Sequence, residues 1–134
     1  SGMNVANYGT IFVTIADSDK AEALPLIRRF YDMGFNIEAT RGTAEFLKAN
    51  GIRTRVRKKL SEGSEEILDS LRQGHVNYVI NTREPANLGR DSDGAQIRRC
   101  AVENNVTMFT ALDTVRVLLE VLEEITLCIS TIDS

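Results

Sequence analysis

A short segment rich in threonine and glycine contains the residues best suited to binding chemistry. Thr40, Gly42 and Thr43 lie where a short apolar run gives way to a predicted helix. The first amide N–H groups of a helix have no partner within it, and the helix dipole is positive at that end. Gly42 lacks a Cβ, so a bound group can approach the backbone closely. The segment indicates an anion site, although an ordinary helix cap formed by Thr40 or Thr43 would explain the same residues.

The spacing of apolar residues predicts five strands that alternate with five helices. The strands are predicted at residues 10–16, 37–40, 54–57, 77–81 and 106–109, and the helices at 20–33, 43–50, 64–72, 96–104 and 112–125. Residues 82–93 are predicted to form a loop, and the residues after 125 are predicted to form a short strand or a disordered tail. The alternation favours an α/β fold, a doubly wound parallel sheet of five strands with helices on both faces.

Charge on the third strand suggests the order of the strands. Arg53, Arg55 and Arg57 alternate along it, and charged side chains are typical of a sheet edge. The order 3-2-1-4-5 places this strand at an edge and puts the topological switch between strands 1 and 4. Ligands of such sheets bind outside the carboxyl ends of the strands near the switch.

Polar residues follow the predicted strands at those carboxyl ends. Lys20 comes after the first strand, residues 40–43 after the second, Lys59 after the third, and Asn81 and Arg83 at the end of the fourth. Cations, hydroxyl groups and a helix N-terminus would then converge on one rim of the sheet. This convergence predicts a site for a phosphate or a similar anion, whereas each residue taken alone is also typical of a solvated loop.

Composition bounds the class of protein. We expect residues 1–134 to form one domain, because a chain of 134 residues has the usual size of a single domain. A composition of 43% hydrophobic and 26% charged residues is ordinary for a globular protein. A net charge of −3 disfavours nucleic acid as a general partner, and no apolar run is long enough to span a membrane. Cys100 and Cys128 have no metal-ligand spacing, so we predict no metal site and a buried, reduced Cys100, which is typical of a cytosolic protein. We assign a structural role to the single histidine, His75.

Several short motifs together resemble a known family. The motifs occur in order at residues 19–20, 39–43, 59–63, 78–82 and 91–99. They are similar to the methylglyoxal-synthase-like fold over roughly residues 8–126, and in particular to the C-terminal allosteric domain of the carbamoyl phosphate synthetase large subunit. The resemblance implies one regulatory domain of a longer cytoplasmic chain.

The resemblance also implies partners and cofactors. The parent enzyme would be a ligase of pyrimidine and arginine biosynthesis that uses ATP with Mg or Mn and pairs with a glutaminase small subunit. The domain itself would contain no cofactor and would bind a nucleoside monophosphate, UMP or IMP, as effector. The phosphate-binding positions of the family correspond to Lys20, Thr40, Gly42, Thr43 and Lys59, and the sugar- or base-binding positions to Asn81 and Arg83.

Two of these positions bear on the identity of the ligand. Bacterial relatives often have threonine where this chain has Arg83, so the contact to the base stays open. The urea-cycle relatives that respond to N-acetylglutamate are similar to one another in having an aromatic residue at the position of Lys59. Lys59 therefore favours a phosphate ligand.

The alternative function is that of methylglyoxal synthase, acting on dihydroxyacetone phosphate. These enzymes resemble one another in a Gly-Gly-Asp-Gln-Gln run after strand 3, whose aspartate is the general base. This chain has Ser64 in place of that aspartate, and a neutral serine without an adjacent base is a poor proton acceptor. Glu62 or Glu65 would be displaced from the required position, so we expect no catalysis by this domain. Nucleic-acid binding through the basic residues 53–59 is disfavoured by the nearby glutamates.

Overall fold

The computed structural model describes residues 9–82 and 92–133, and the side chains of the second range from 93 to 128. The strands are β1 (Thr10–Thr14), β2 (Asn36–Thr40), β3 (Thr54–Arg57), β4 (Tyr78–Asn81) and β5 (Thr107–Phe109). The helices are α1 (Lys20–Asp32), α2 (Arg41–Ala49), α3 (Glu66–Arg72), α4 (Ser92–Glu103) and α5 (Leu112–Asp133). Two short 3-10 turns, Asp17–Asp19 and Leu60–Glu62, follow β1 and β3.

The five strands form one parallel sheet in the order β3-β2-β1-β4-β5. The predicted fold class and strand order are therefore confirmed, and the arginine-bearing strand β3 is an edge strand. The central strand β1 is apolar on both faces, with Ile11, Phe12 and Val13 almost completely buried. Continuous apolar runs of this kind are typical of parallel sheets covered on both sides.

Each face of the sheet carries its own apolar core. Helices α1, α2 and α5 pack on the first face, around Val13, Phe30 and Leu119. Helices α3 and α4 pack on the second face, around Phe12 and Leu71. Ile97, Cys100 and Ala101 of α4 belong to this second core, and the prediction of a buried, reduced Cys100 is confirmed.

Several boundaries differ from the sequence prediction, and those at three helix ends bear on the site or the tail. Helix α2 begins at Arg41 rather than at residue 43, so Thr40 is the residue that precedes the helix and Thr43 lies in its first turn. Helix α4 begins at Ser92, inside the predicted loop. Helix α5 continues to Asp133, so the prediction of a strand or a disordered tail after residue 125 was wrong. Apolar residues recur at 122, 125, 129 and 132, a helical spacing that extends the pattern of α5.

Within the described ranges, no helix is both long enough and apolar enough to cross a membrane.

Candidate functional site

The last residues of neighbouring strands lie side by side at the carboxyl rim of the sheet. Thr14 of β1 pairs in register with Asn81 of β4, and Thr40 of β2 pairs with Arg57 of β3. The hydroxyl groups of Thr14 and Thr40 are 3.3 Å apart, which joins the two halves of the row. Because paired residues of adjacent strands point to the same face, this row lies on the face that α3 and α4 cover.

Two further threonine hydroxyls hold the backbone that follows β1. The Ile15 N–H donates to Thr43 Oγ1 at 3.0 Å, and the Ala16 N–H donates to Thr82 Oγ1 at 2.8 Å. Both threonines are buried, with exposed fractions of 3% and 7%. Side chains from α2 and from the end of β4 therefore satisfy the two amides that no longer take part in the sheet.

These bonds also determine the hydrogen-bonding role that the two threonine hydroxyls can play toward a ligand. A hydroxyl oxygen that accepts a backbone N–H keeps its own proton, which it can donate elsewhere. Thr43 and Thr82 can therefore act as donors toward a group at the rim, and the same chemistry suits an anion with several acceptor oxygens. Thr43 is not a helix cap, which corrects the sequence interpretation of its hydroxyl, and Thr40 makes no capping hydrogen bond through its side chain.

Lys20 supplies positive charge beside the threonines. It begins α1, directly after the turn that follows β1, and its ammonium group lies 2.5 Å from Asp17 Oδ1. The hydrogen bond and the charge of Lys20 hold the pKa of the exposed Asp17 carboxyl below its usual value. The ammonium group also lies 6.0 Å from the centre of the Phe46 ring, a distance at the limit of a cation–π contact. An anion that reaches Lys20 must therefore compete with Asp17.

The N-terminus of α2 adds backbone donors. Thr40 is extended, and Arg41, Gly42 and Thr43 form the first helical residues, whose N–H groups have no partner within the helix. A Cβ placed on Gly42 would meet no atom within 4 Å, so the space beside this turn is open. The glycine leaves the backbone accessible, but the structure does not require a glycine there for lack of space.

The loop after β3 places Lys59 on the surface. The Lys58 N–H donates to Glu66 Oε2 at 2.8 Å, and the Ser61 N–H donates to Asp93 Oδ2 at 3.1 Å. Gly63 then adopts a left-handed φ of 83°, a backbone conformation that favours glycine, and α3 follows. The side chain of Lys59 is exposed and forms no hydrogen bond or ion pair with the described residues, while its carbonyl accepts the Glu62 N–H. These bonds fix both ends of the short loop that carries this lysine.

Ser64 has a structural role at the start of α3. Its Oγ accepts a hydrogen bond from the Glu66 N–H at 3.2 Å. Glu62 and Glu65, the other candidates for a base, are exposed.

A buried ion pair lies beside the rim, between β2 and β3. Arg57 donates from Nε to Glu38 Oε1 at 2.8 Å and from Nη2 to Glu38 Oε2 at 3.2 Å. The side chains are 15% and 9% exposed, and the contact with Glu38 raises the pKa of Arg57. The sequence analysis assigned Arg57 only to the charge of an edge strand. In the sequence, the acidic Glu38 lies within an otherwise apolar strand, and this position indicated that it would need a partner of opposite charge.

The structure brings together some of the predicted site residues. Lys20 directly follows the turn after β1, and Thr43 binds the Ile15 N–H where that turn begins. Thr40 contacts Thr14 at the end of β1, and Asn81 is buried in the strand next to Thr14. Arg83 lies outside the described residues. Sequence reasoning assigned no contact to Thr14 or Thr82. Thr14 lies within the predicted first strand, and Thr82 directly follows the predicted fourth strand.

In the described part of the chain, no group of three or more histidine, cysteine, aspartate or glutamate side chains could hold a metal ion. His75 precedes β4, so it lies at the amino ends of the strands, away from the rim.

Comparison with known proteins agrees with this geometry. Residues 22–110 match the family model described as "MGS-like domain". The chain belongs to the MGS-like domain family. Its structure is similar to a crystal structure of methylglyoxal synthase from Elizabethkingia anophelis NUHP1, with a TM-score of 0.69 and 21% sequence identity. The similarity covers 84% of this chain and 78% of that one, and at this identity it establishes a shared fold.

Proposed function

We propose that this MGS-like domain is an effector-binding module that holds a nucleoside monophosphate, UMP or IMP, by its phosphate. The observation that carries the proposal is the group of threonine hydroxyls at the rim, with Lys20 and the N-terminus of α2 beside it. A phosphate group presents several acceptor oxygens and negative charge, and the rim offers donors and positive charge.

The remaining predicted contacts follow from this placement. Lys59, on the loop after β3, supplies a second cation to the phosphate. Asn81, next to Thr14 in the sheet, can both donate and accept, which suits a ribose hydroxyl or a base edge. Arg83, two residues after Asn81 in the sequence, is the proposed contact to the sugar or the base.

We also propose the larger setting of the domain. It would act as the regulatory domain of a carbamoyl phosphate synthetase large subunit in the cytoplasm, beside ATP-dependent catalytic domains that use Mg or Mn and a glutaminase small subunit. The domain itself would hold no cofactor and catalyse no reaction.

Methylglyoxal synthase activity is the second candidate, because the similar solved structure carries that name. It requires a base that removes a proton from dihydroxyacetone phosphate. Ser64 stands at the base position and already accepts the Glu66 N–H. Asp17 is the carboxylate nearest to Lys20, and its lowered pKa makes it a weak base. These observations favour binding over turnover.

A ligand panel separates the two functions. We expect UMP or IMP to raise the melting temperature, and we expect dihydroxyacetone phosphate to release no phosphate above the buffer rate. A nucleotide at a hundredfold excess over its Kd should stabilise the fold by about 2.7 kcal/mol. Phosphate release that disappears in Asp17→Asn or Glu62→Gln would instead establish the enzyme. N-acetylglutamate, CMP and inorganic phosphate complete the panel as controls for the class of ligand.

A further inference from the structure

The open edge of the sheet beside β3 has features that the proposed effector site does not use. Within the described strands, β3 pairs only with β2, so its other side has no strand neighbour. An edge strand leaves backbone N–H and C=O groups that a further strand can pair with. A groove of about 890 Å³ runs from β3 toward the amino ends of β1 and β2, and residues of α3 line its other side.

Two exposed arginines add positive charge to this edge. Arg53 and Arg55 line the groove, are exposed, and form no ion pair with the described residues. Arg57, on the same face of the strand, is already bound to Glu38. The cations available to a partner at this edge are therefore Arg53 and Arg55, separated by two residues or about 7 Å along the strand.

The acidic residues across the groove are partly engaged. Glu66 accepts the Lys58 N–H, and Asp69 forms an ion pair of 3.2 Å with Arg72. Both belong to α3, which lies over the second face of the sheet, whereas an added strand would lie in the plane of the sheet beyond β3. An added acidic strand would thus meet the two arginines before it meets these carboxylates.

The opposite face of β3 offers an apolar contact. Val56 lies between Arg55 and Arg57 in the sequence and points to the other side of the sheet, where the residue is 39% exposed. A partner strand that alternates acidic and apolar residues would place its acids against Arg53 and Arg55 and its apolar side chains against Val56. The two arginines and Val56 therefore both favour a partner strand in which acidic and apolar residues alternate.

We propose that β3 is a docking edge for an extended acidic segment of a partner protein, which adds a sixth strand to the sheet. A second copy of this chain is a poor occupant, because pairing β3 with itself would bring arginines opposite arginines. Opposite charges on directly facing residues stabilise such a pair, and main-chain hydrogen bonds along the edge supply the remaining affinity.

The test uses a short labelled peptide in which glutamate alternates with valine, and fluorescence anisotropy to measure its binding. One control peptide has lysine in place of glutamate, and another has the same residues in scrambled order. The alternating acidic peptide should bind at least about tenfold more tightly than either control, and salt should weaken its binding. Equal binding of the scrambled peptide, or no binding of any peptide, would overturn the proposal.

A pair of variants locates the site. Arg53→Glu with Arg55→Glu should weaken the acidic peptide at least about tenfold, because two attractive pairs become repulsive. The matched control is Arg98→Glu with Arg99→Glu, the same change of charge at exposed positions of α4, which should leave the Kd within about twofold. Urea unfolding of all variants confirms that each is folded. Equal losses in both double variants would mean that net charge alone controls binding, against the proposal.

Backbone methylation of the peptide tests strand addition itself. In an added strand, alternate N–H groups point toward β3, so N-methylation at one alternate set should abolish binding and at the other should leave it nearly intact. Equal tolerance of both sets would refute strand pairing. Sedimentation of the chain alone covers the remaining occupant, since a dimer that the acidic peptide dissociates would show that a second copy fills the edge.

Discussion

Replacing Thr43 by valine tests the role assigned to the rim hydroxyls. Valine keeps nearly the same shape, so the change removes the hydroxyl and little else. Thr43 is 3% exposed, and Ile15, whose N–H it accepts, is itself buried. A buried donor left without a partner costs about 1–3 kcal/mol. We expect the free energy of unfolding of Thr43→Val to fall by about that amount.

Two further variants complete the experiment. Thr43→Ser keeps the hydroxyl and loses one methyl group, which costs about 0.8 kcal/mol of burial, so it should be the more stable of the two and should still bind nucleotide. Thr126→Val is the matched control, because the Thr126 hydroxyl donates only to the Leu122 carbonyl one turn earlier in α5. Its stability should change by less than about 0.5 kcal/mol.

Urea unfolding followed by circular dichroism measures all three, with the slope of the transition compared between variants. The structure also predicts that Thr43→Val loses nucleotide affinity, because the donated proton is removed together with the acceptor oxygen. Equal stability of Thr43→Val and the unsubstituted chain would refute the assigned bond. A stability loss without any loss of affinity would limit Thr43 to a structural role.

The remaining predictions concern three charged contacts. Glu38→Gln should destabilise the fold by about 3 kcal/mol, because it leaves Arg57 without its buried counterion. The double variant Glu38→Leu with Arg57→Met removes both charges and should lower the free energy of unfolding by less. Urea unfolding compares the two, and a larger loss in the double variant would contradict this account. Asp17→Asn should tighten nucleotide binding about twofold to fivefold by calorimetry because Lys20 is released; weaker binding would mean that Asp17 supports the site. The pKa of Glu123 is lowered by its bond from Arg29, so the stabilisation is present above the ordinary carboxyl pKa and is lost as pH falls through the lowered value. The melting temperature should therefore decline in acid less steeply in Glu123→Gln, and an unchanged pH profile would count against the pair.

The fold could be predicted from the sequence because local and global signals agree in it. The apolar run at Ile11–Val13 and the arginines of β3 each have one placement that suits a parallel sheet, the centre and the edge. The residues at which the helices begin and end were harder to predict from the sequence. Thr40 and Thr43 are both acceptable residues to precede a helix, and the bond from Ile15 that distinguishes them joins residues 28 apart in the chain.

The candidate site could be predicted only in part, for the same physical reason. Lys20 follows the short turn after β1 and the segment around Gly42 directly follows β2, so the position of each at the rim depends mainly on strand order. The contribution of Thr82 depends on its bond to the Ala16 N–H, which no spacing in the sequence expresses. The pairing of Glu38 with Arg57 likewise depends on the register of β2 and β3.

Calorimetric titration of UMP and IMP into the unsubstituted chain and Lys59→Ala tests the central claim most directly. The matched control is Lys48→Ala. Lys48 is an exposed lysine near the end of α2 and makes no contact with the rim threonines. A charge-assisted contact contributes about 1.5–3 kcal/mol, so Lys59→Ala should weaken the nucleotide about tenfold to a hundredfold, while Lys48→Ala should bind like the unsubstituted chain. Binding of equal strength to Lys59→Ala, or no binding of either nucleotide to the unsubstituted chain, would contradict a phosphate site at this rim.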